Sequence, residues 1–153
     1  MSFTDDGPVR AEPELDPRGV RFSAALTSVV LVLVLISSSG WLAAAQAVVF
    51  GVASIAGMRF APYGVLYRLL LAPRLAPPTE RENPAPVRFS QTVGLVFTVV
   101  AAAGYLSGLT VVGLVATAFA LVAALLNAVF GFCLGCEMYA LAARLRAPRP
   151  TDA

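Results

Sequence analysis

Four apolar runs, at 20–38, 41–58, 89–105 and 109–132, free of charge but for Arg21 at the head of the first, decide what this chain can fold into. Each is within or close to the window of about 17 to 25 residues that crosses a bilayer as a helix. Only 13% of the 153 residues are charged and 58% are hydrophobic, whereas a soluble domain carries about 25% charged residues. The solvent of such a chain is lipid. The sequence predicts an all-α membrane protein with four transmembrane helices arranged as two hairpins, turning at Ser37-Ser38-Ser39-Gly40 and at Tyr105-Leu106-Ser107-Gly108. Trp41 and Tyr105 would anchor the tips in the interface.

Each hairpin is followed by a short amphipathic stretch, at 63–71 and 137–146, that reads as an interfacial helix. The domain expectation is then a disordered N-terminus over 1–19, a transmembrane domain over 20–147 with a proline-rich linker at 59–88, and a disordered tail over 148–153. Val20-Arg21-Phe22-Ser23 recurs as Val87-Arg88-Phe89-Ser90, at an offset of 67. The halves therefore read either as a parallel internal repeat or as plain convergence.

All 11 basic residues are arginine; Lys and His are absent. The arginines lie before or at the head of the first run, between the second and third, and after the fourth, never at the tips. The positive-inside rule then places both termini and the linker in the cytoplasm. Ala45-Gln46-Ala47 resembles a signal cleavage site, but the acidic segment ahead of the first run is not a basic n-region. The missing His excludes Ser-His-Asp, Cys-His and His-zinc chemistry, and the missing Lys excludes lysine-based covalent catalysis. The dispersed arginines predict no nucleic-acid partner. No acid lies inside a run, which opposes a proton-driven pump.

The reactive groups that remain are Cys133 and Cys136, in Gly131-Phe132-Cys133-Leu134-Gly135-Cys136-Glu137. A C-x-x-C pair can close a disulfide or lower one thiol's pKa; in a reducing cytoplasm a transient or catalytic pair is the sharper reading, against a packing role for buried cysteine. Two geometries are open. A helix running straight through would leave the thiols at its C-terminal end and raise their pKa, whereas a break at the glycines would make them the N-terminal lip of a new helix and lower it. Arg21, Arg59 and Arg88 mark the ends of the other runs on the same face, where they would stabilise thiolate or an anion or merely set orientation. Glu137 would accept a proton or cap a helix. Structural roles fall to Gly131 and Gly135 in close packing, to Asn127 as interhelical glue, and to Pro62, Tyr63 and Gly64 at the corner matching the cysteines. No metal site is expected, since two sulfurs are half a zinc set, and no cofactor is implied.

Asp16-Pro17-Arg18, Arg21-Phe22, Pro62-Tyr63-Gly64 with Leu66, Tyr67 and Arg68, Arg88-Phe89 with Gln91, and Leu126-Asn127 followed by Gly131 to Glu137 together resemble the bacterial membrane proteins called domain of unknown function 4395. The resemblance runs from about Asp16 to Tyr139 and is most specific at Gly-Phe-Cys-Leu-Gly-Cys-Glu. It implies proximity to thioredoxin-like and rhodanese-type sulfurtransferase proteins as partners, and it carries over only Cys133 and Cys136 as functional positions. The first functional reading is thiol-disulfide redox or sulfane-sulfur relay with such a partner. The alternatives are a non-enzymatic scaffold or a subunit of a small sulfur-anion transporter, and a quinone-linked thiol oxidoreductase, which the cytoplasmic placement and the lack of a second cysteine pair oppose. Whether the protein is an enzyme and whether it forms a homo-oligomer stay open.

Overall fold

The computed structural model describes residues 13–146; the expectations for 1–12 and 148–153 lie outside the described residues. Six α-helices follow one another: α1 (Pro17–Ser37), α2 (Gly40–Gly51), α3 (Pro62–Leu70), α4 (Pro84–Leu106), α5 (Thr110–Phe130) and α6 (Leu134–Arg146). Local chemistry sets their ends. Asp16 caps α1, accepting the Arg18 backbone N–H at 3.0 Å, with Pro17 opening the first turn. Asn83 and Pro84 repeat the device at α4, and Ser39 caps α2 through the Leu42 N–H.

The architecture departs from the expected four spans in two hairpins. Among the described residues three helices are long and apolar enough to cross a membrane, α1, α4 and α5, with 21, 23 and 21 residues. At a rise of 1.5 Å per residue they measure about 32 to 35 Å, enough for a hydrocarbon core of about 30 Å. The second apolar run is cut short. After 12 α-helical residues it widens into a π turn, Val52–Ala56, and stops at Gly57, whose φ of 110° no helix accommodates. The resulting Gly40–Ala56 segment is a shorter apolar helix of about 25 Å.

The first hairpin is also not closed upon itself. α1 and α2 touch sparingly; α1 packs chiefly on α5, and α2 chiefly on α4. The two Val-Arg-Phe-Ser copies account for this crossing. Arg21 on α1 donates to the carbonyls of Ala128 and Val129 at the end of α5, at 3.2 and 3.1 Å. Arg88 on α4 donates to Ser54 and Ile55 at the end of the α2 extension, at 2.7 and 3.1 Å. Each arginine thus satisfies last-turn carbonyls that no backbone N–H reaches. Phe22 meets Tyr67 of α3 with ring centroids 5.8 Å apart, and Phe89 meets Tyr139 of α6, also at 5.8 Å. The starts of α1 and α4 and the ends of α2 and α5 therefore share one end of the molecule.

The opposite end is close-packed. Val34, Ala43, Ala101, Ala102 and Ala116 form its core, and glycines let the helices approach. A Cβ on Gly104 would stand 2.7 Å from the Gly113 nitrogen, and one on Gly40 2.6 Å from Leu106 Cγ. Ser28, Thr98 and Thr117 in this interior bond back to carbonyls of their own helices, at 2.7 to 2.8 Å. Val32, Leu33 and Ile36, Val96 and Val100, and Val111, Val115 and Val122 point outward and exposed, the surface lipid would cover. The segment between α3 and α4 returns to the start of α1: Leu15 and Glu82 exchange two backbone hydrogen bonds of 2.8 Å, and Arg18 reaches the Ala76 carbonyl at 2.8 Å.

Candidate functional site: a dithiol beside an apolar chamber

At the arginine-bearing end α5 stops at Phe130. Gly131 turns the chain at φ 68°, a conformation glycine adopts without penalty, and the N–H groups of Gly131 and Phe132 fold back onto the carbonyls of Asn127 and Leu126. With Arg21 on Ala128 and Val129, the four successive carbonyls from Leu126 to Val129 all accept. The chain is then free to start α6 in a new direction. Of the two geometries open at the sequence level, the broken helix is the one found.

Cys133 is the residue before α6. Its carbonyl accepts the Glu137 N–H at 3.0 Å, and its Sγ accepts the Cys136 N–H at 3.2 Å, so the sulfur does what a serine hydroxyl does at a helix N-cap. Cys133 and Cys136 are joined as a disulfide, with Cα atoms 5.2 Å apart. Both are half-buried. The position at a helix N-terminus favours negative charge on the sulfur when the bond is open.

α6 is held where it is by α4. Gly135 is buried against Ser90, and a Cβ there would stand 2.6 Å from Ser90 Cα. The Phe89–Tyr139 contact fixes the next turn. Glu137 is exposed in the first turn of α6, where its charge suits the helix dipole.

Below the dithiol the helices enclose a mostly apolar cavity of about 260 Å³. Cys133 is in its wall and Cys136 is not. α1, α2, α4 and α5 all contribute, with the rings of Phe50, Phe97 and Phe119 among the lining, and among the described residues no charged side chain lines it. Among the expected structural residues, Asn127, Tyr63 and Gly135 line the same cavity. Tyr63 donates to Gln46 Oε1 at 2.7 Å; burial pushes its hydroxyl above the ordinary phenol value, so it stays protonated. Gln46 itself is buried, and its Nε2 finds no acceptor among the described residues.

Of the three arginines, Arg21 lies beside the turn that leads to the cysteines, its Nε 3.9 Å from where a Gly131 Cβ would stand. Arg88 serves the α2 end. Arg59 is exposed, with its guanidinium 5.9 Å from the Phe60 ring and its carbonyl taken by Arg68. Pro62 opens α3, and Gly64 faces Ala61 and the Met58 carbonyl at ordinary distances.

Two features were beyond the sequence reading. The chamber is one, although Asn127, Tyr63 and Gly135 in its wall had been singled out for structural roles. The other is the Asp16 cluster, where the carboxylate accepts from Arg18 and from the Tyr67 hydroxyl at 2.8 Å and so ties α1 to α3; Asp-Pro ahead of an apolar run gave the cap but not the tyrosine.

Among the described residues no cluster of His, Cys, Asp and Glu could hold a metal ion. No curated protein and no solved structure matches the chain. The model of the domain of unknown function 4395 (DUF4395) matches residues 15–144, from just ahead of the α1 cap to the last turn of α6, and the chain belongs to that family.

Proposed function

We propose that this membrane protein exchanges disulfides, or passes sulfane sulfur, through Cys133 and Cys136 with a thioredoxin-like or rhodanese-type partner in the cytoplasm of a bacterial cell. The observation that carries the reading is the Cys133 sulfur at the N-cap of α6, accepting the Cys136 N–H with Cys136 in bonding reach. A sulfur so placed is stabilised as thiolate, the nucleophilic form. It attacks a partner disulfide and forms a mixed disulfide; Cys136 then attacks Cys133 Sγ, closes the internal bond and releases the partner as dithiol. With a persulfide as the target, the outer sulfur is transferred instead. The arginine-bearing end that holds the pair faces the cytoplasm by the positive-inside rule.

The test is alkylation of the reduced protein with a membrane-impermeant reagent across a pH series, in inside-out and right-side-out vesicles, with Cys133→Ser and Cys136→Ser as controls. Cys133 is expected to label from the cytoplasmic side with a midpoint below the ordinary thiol value of about 8.5. Cys136→Ser should then trap the partner as a mixed disulfide on Cys133. Two inert thiols would refute the exchange reading, and labelling from the outer side alone would refute the cytoplasmic one.

A further inference from the structure

The chamber asks for a ligand that the exchange reading leaves unnamed. Four properties of its wall restrict the choice. It is mostly apolar and lined by no charged side chain among the described residues, so none of those would neutralise a sulfur anion there. Three phenylalanine rings, Phe50, Phe97 and Phe119, line it, which suits a flat ring. Gln91 on α4 and Asn127 on α5 line it too, and neither amide side chain hydrogen-bonds another described residue. A ligand carrying carbonyl acceptors on an apolar frame would meet both the amides and the rings. Finally, Cys133 is in the wall while Cys136 is not. The occupant meets one sulfur of a redox pair.

We propose that the chamber binds the ring of a membrane quinone, and that the Cys133–Cys136 dithiol reduces it. This rests on the exchange reading for the source of the dithiol. Gln91 and Asn127 donate to the two ring oxygens, and the phenylalanines hold the ring against Cys133. The Cys133 thiolate adds to the quinone, forming a carbon–sulfur bond. Cys136, as thiolate, attacks Cys133 Sγ; the sulfur–sulfur bond forms, the carbon–sulfur bond breaks, and the electron pair leaves with the ring. The two protons given up by the thiols end on the two ring oxygens. Two thiols and one quinone become one disulfide and one hydroquinone, and a partner dithiol then reopens the disulfide from the water side, the exchange written above run in reverse. A second cysteine pair is unnecessary in this arrangement, because one sulfur faces the chamber while its half-buried neighbour lies outside it.

The test uses the full chain, reduced, in nanodiscs of neutral phospholipid, mixed anaerobically with a short-chain, fully substituted benzoquinone. Quinone absorbance reports its reduction, mass-tagging of the thiols reports disulfide formation, and alkylation of Cys133 by a water-soluble reagent in the same sample serves as the reference rate. One quinone should be consumed per cysteine pair. Relative to the alkylation rate, Gln91→Leu and Asn127→Leu should each slow quinone reduction by about three- to tenfold, the effect of one lost hydrogen bond. Ala124→Phe, which fills the chamber, should abolish it. Alkylation and disulfide exchange that proceed while the quinone is untouched would overturn this inference and leave the exchange reading standing, with a lipid tail the better occupant. Quinone reduction slowed by none of the variants would overturn it as well, since an exposed thiol would then be doing the chemistry. Thiols that react with neither reagent would bring down both.

Discussion

Gly135→Ala isolates the contact on which the placement of the dithiol depends. The added methyl carbon would stand 2.6 Å from Ser90 Cα and nearer still to Ser90 Cβ. Carbon atoms rest at about 3.5 to 4.0 Å, so α6 must retreat from α4 by about 1 Å. The obstacle is the root of a neighbouring helix, not the free end of a flexible side chain. The cost should therefore reach the upper part of the range for overpacking, about 2 to 3 kcal/mol. For a chain of this size that is a fall in Tm of roughly 5 to 10 °C, measured in detergent by circular dichroism. Because the retreating helix carries Cys136 and its N–H, the Cys133 alkylation rate should change along with stability. Gly64→Ala is the matched control. There the new methyl meets only Ala61 Cβ at 3.7 Å and the Met58 carbonyl at 3.9 Å, and alanine is the better helix former by up to about 1 kcal/mol. If the two substitutions prove equally benign, the close approach of α6 to α4 is refuted, and the geometry assigned to the dithiol goes with it.

Asp16 makes stability depend on acid. Burial would raise its pKa, but the hydrogen bonds from Arg18 and Tyr67 outweigh burial and hold the carboxyl below its ordinary 3.8. Its contribution is thus complete above that value and lost as pH falls through the lowered one, so the Tm gap between wild type and Asp16→Asn should be full at neutral pH and close below about pH 4; a gap flat in pH would contradict the assignment. Arg21→Gln and Arg88→Gln should each cost about 1 to 2 kcal/mol, since both uncover helix-end carbonyls. Only Arg21→Gln should alter Cys133 alkylation, because Arg21 alone caps the α5 end beside the turn. Tyr63→Phe leaves the buried Gln46 carbonyl without its donor and should cost about 1 to 3 kcal/mol, whereas adding Gln46→Leu should recover part of that loss in a double-mutant cycle. Strict additivity there would deny the hydrogen bond.

What could be read from the residues was what depends on composition and spacing. Apolar runs announced lipid, and Cys133-Leu134-Gly135-Cys136 announced a pair in bonding reach. The end of the second run was read to within two residues, at 58 against Ala56; the π turn over Val52–Ala56 and the φ of Gly57 could not be read, being main-chain events that hydropathy does not register. Sequence neighbours suggested hairpins, yet α1 found α5 and α2 found α4. The repeated Val-Arg-Phe-Ser was visible, but not that each arginine caps a helix of the other half. Arg21, Arg59 and Arg88 looked alike on paper. Only their reach separates them: one ends beside the cysteine turn, one at the α2 end, and one over Phe60.

The comparison between halves also explains why the chemistry is one-sided. Ala61 precedes α3 and Cys133 precedes α6. Tyr67 and Tyr139 occupy the same turn of their helices and meet equivalent phenylalanines. The two corners are thus built alike, with Ala61-Pro62-Tyr63-Gly64 standing where the other half has Cys133-Leu134-Gly135-Cys136. In the first, Tyr63 projects a ring into the chamber and spends its proton on Gln46. In the second, Gly135 gives up its side chain so that α6 can lie against Ser90, which leaves Cys133 in the wall. Packing alone would be served by an alanine at 133, as it is at 61. A sulfur there accepts the Cys136 N–H as the cap of α6 and, in reach of a second sulfur, makes the corner a redox-capable dithiol.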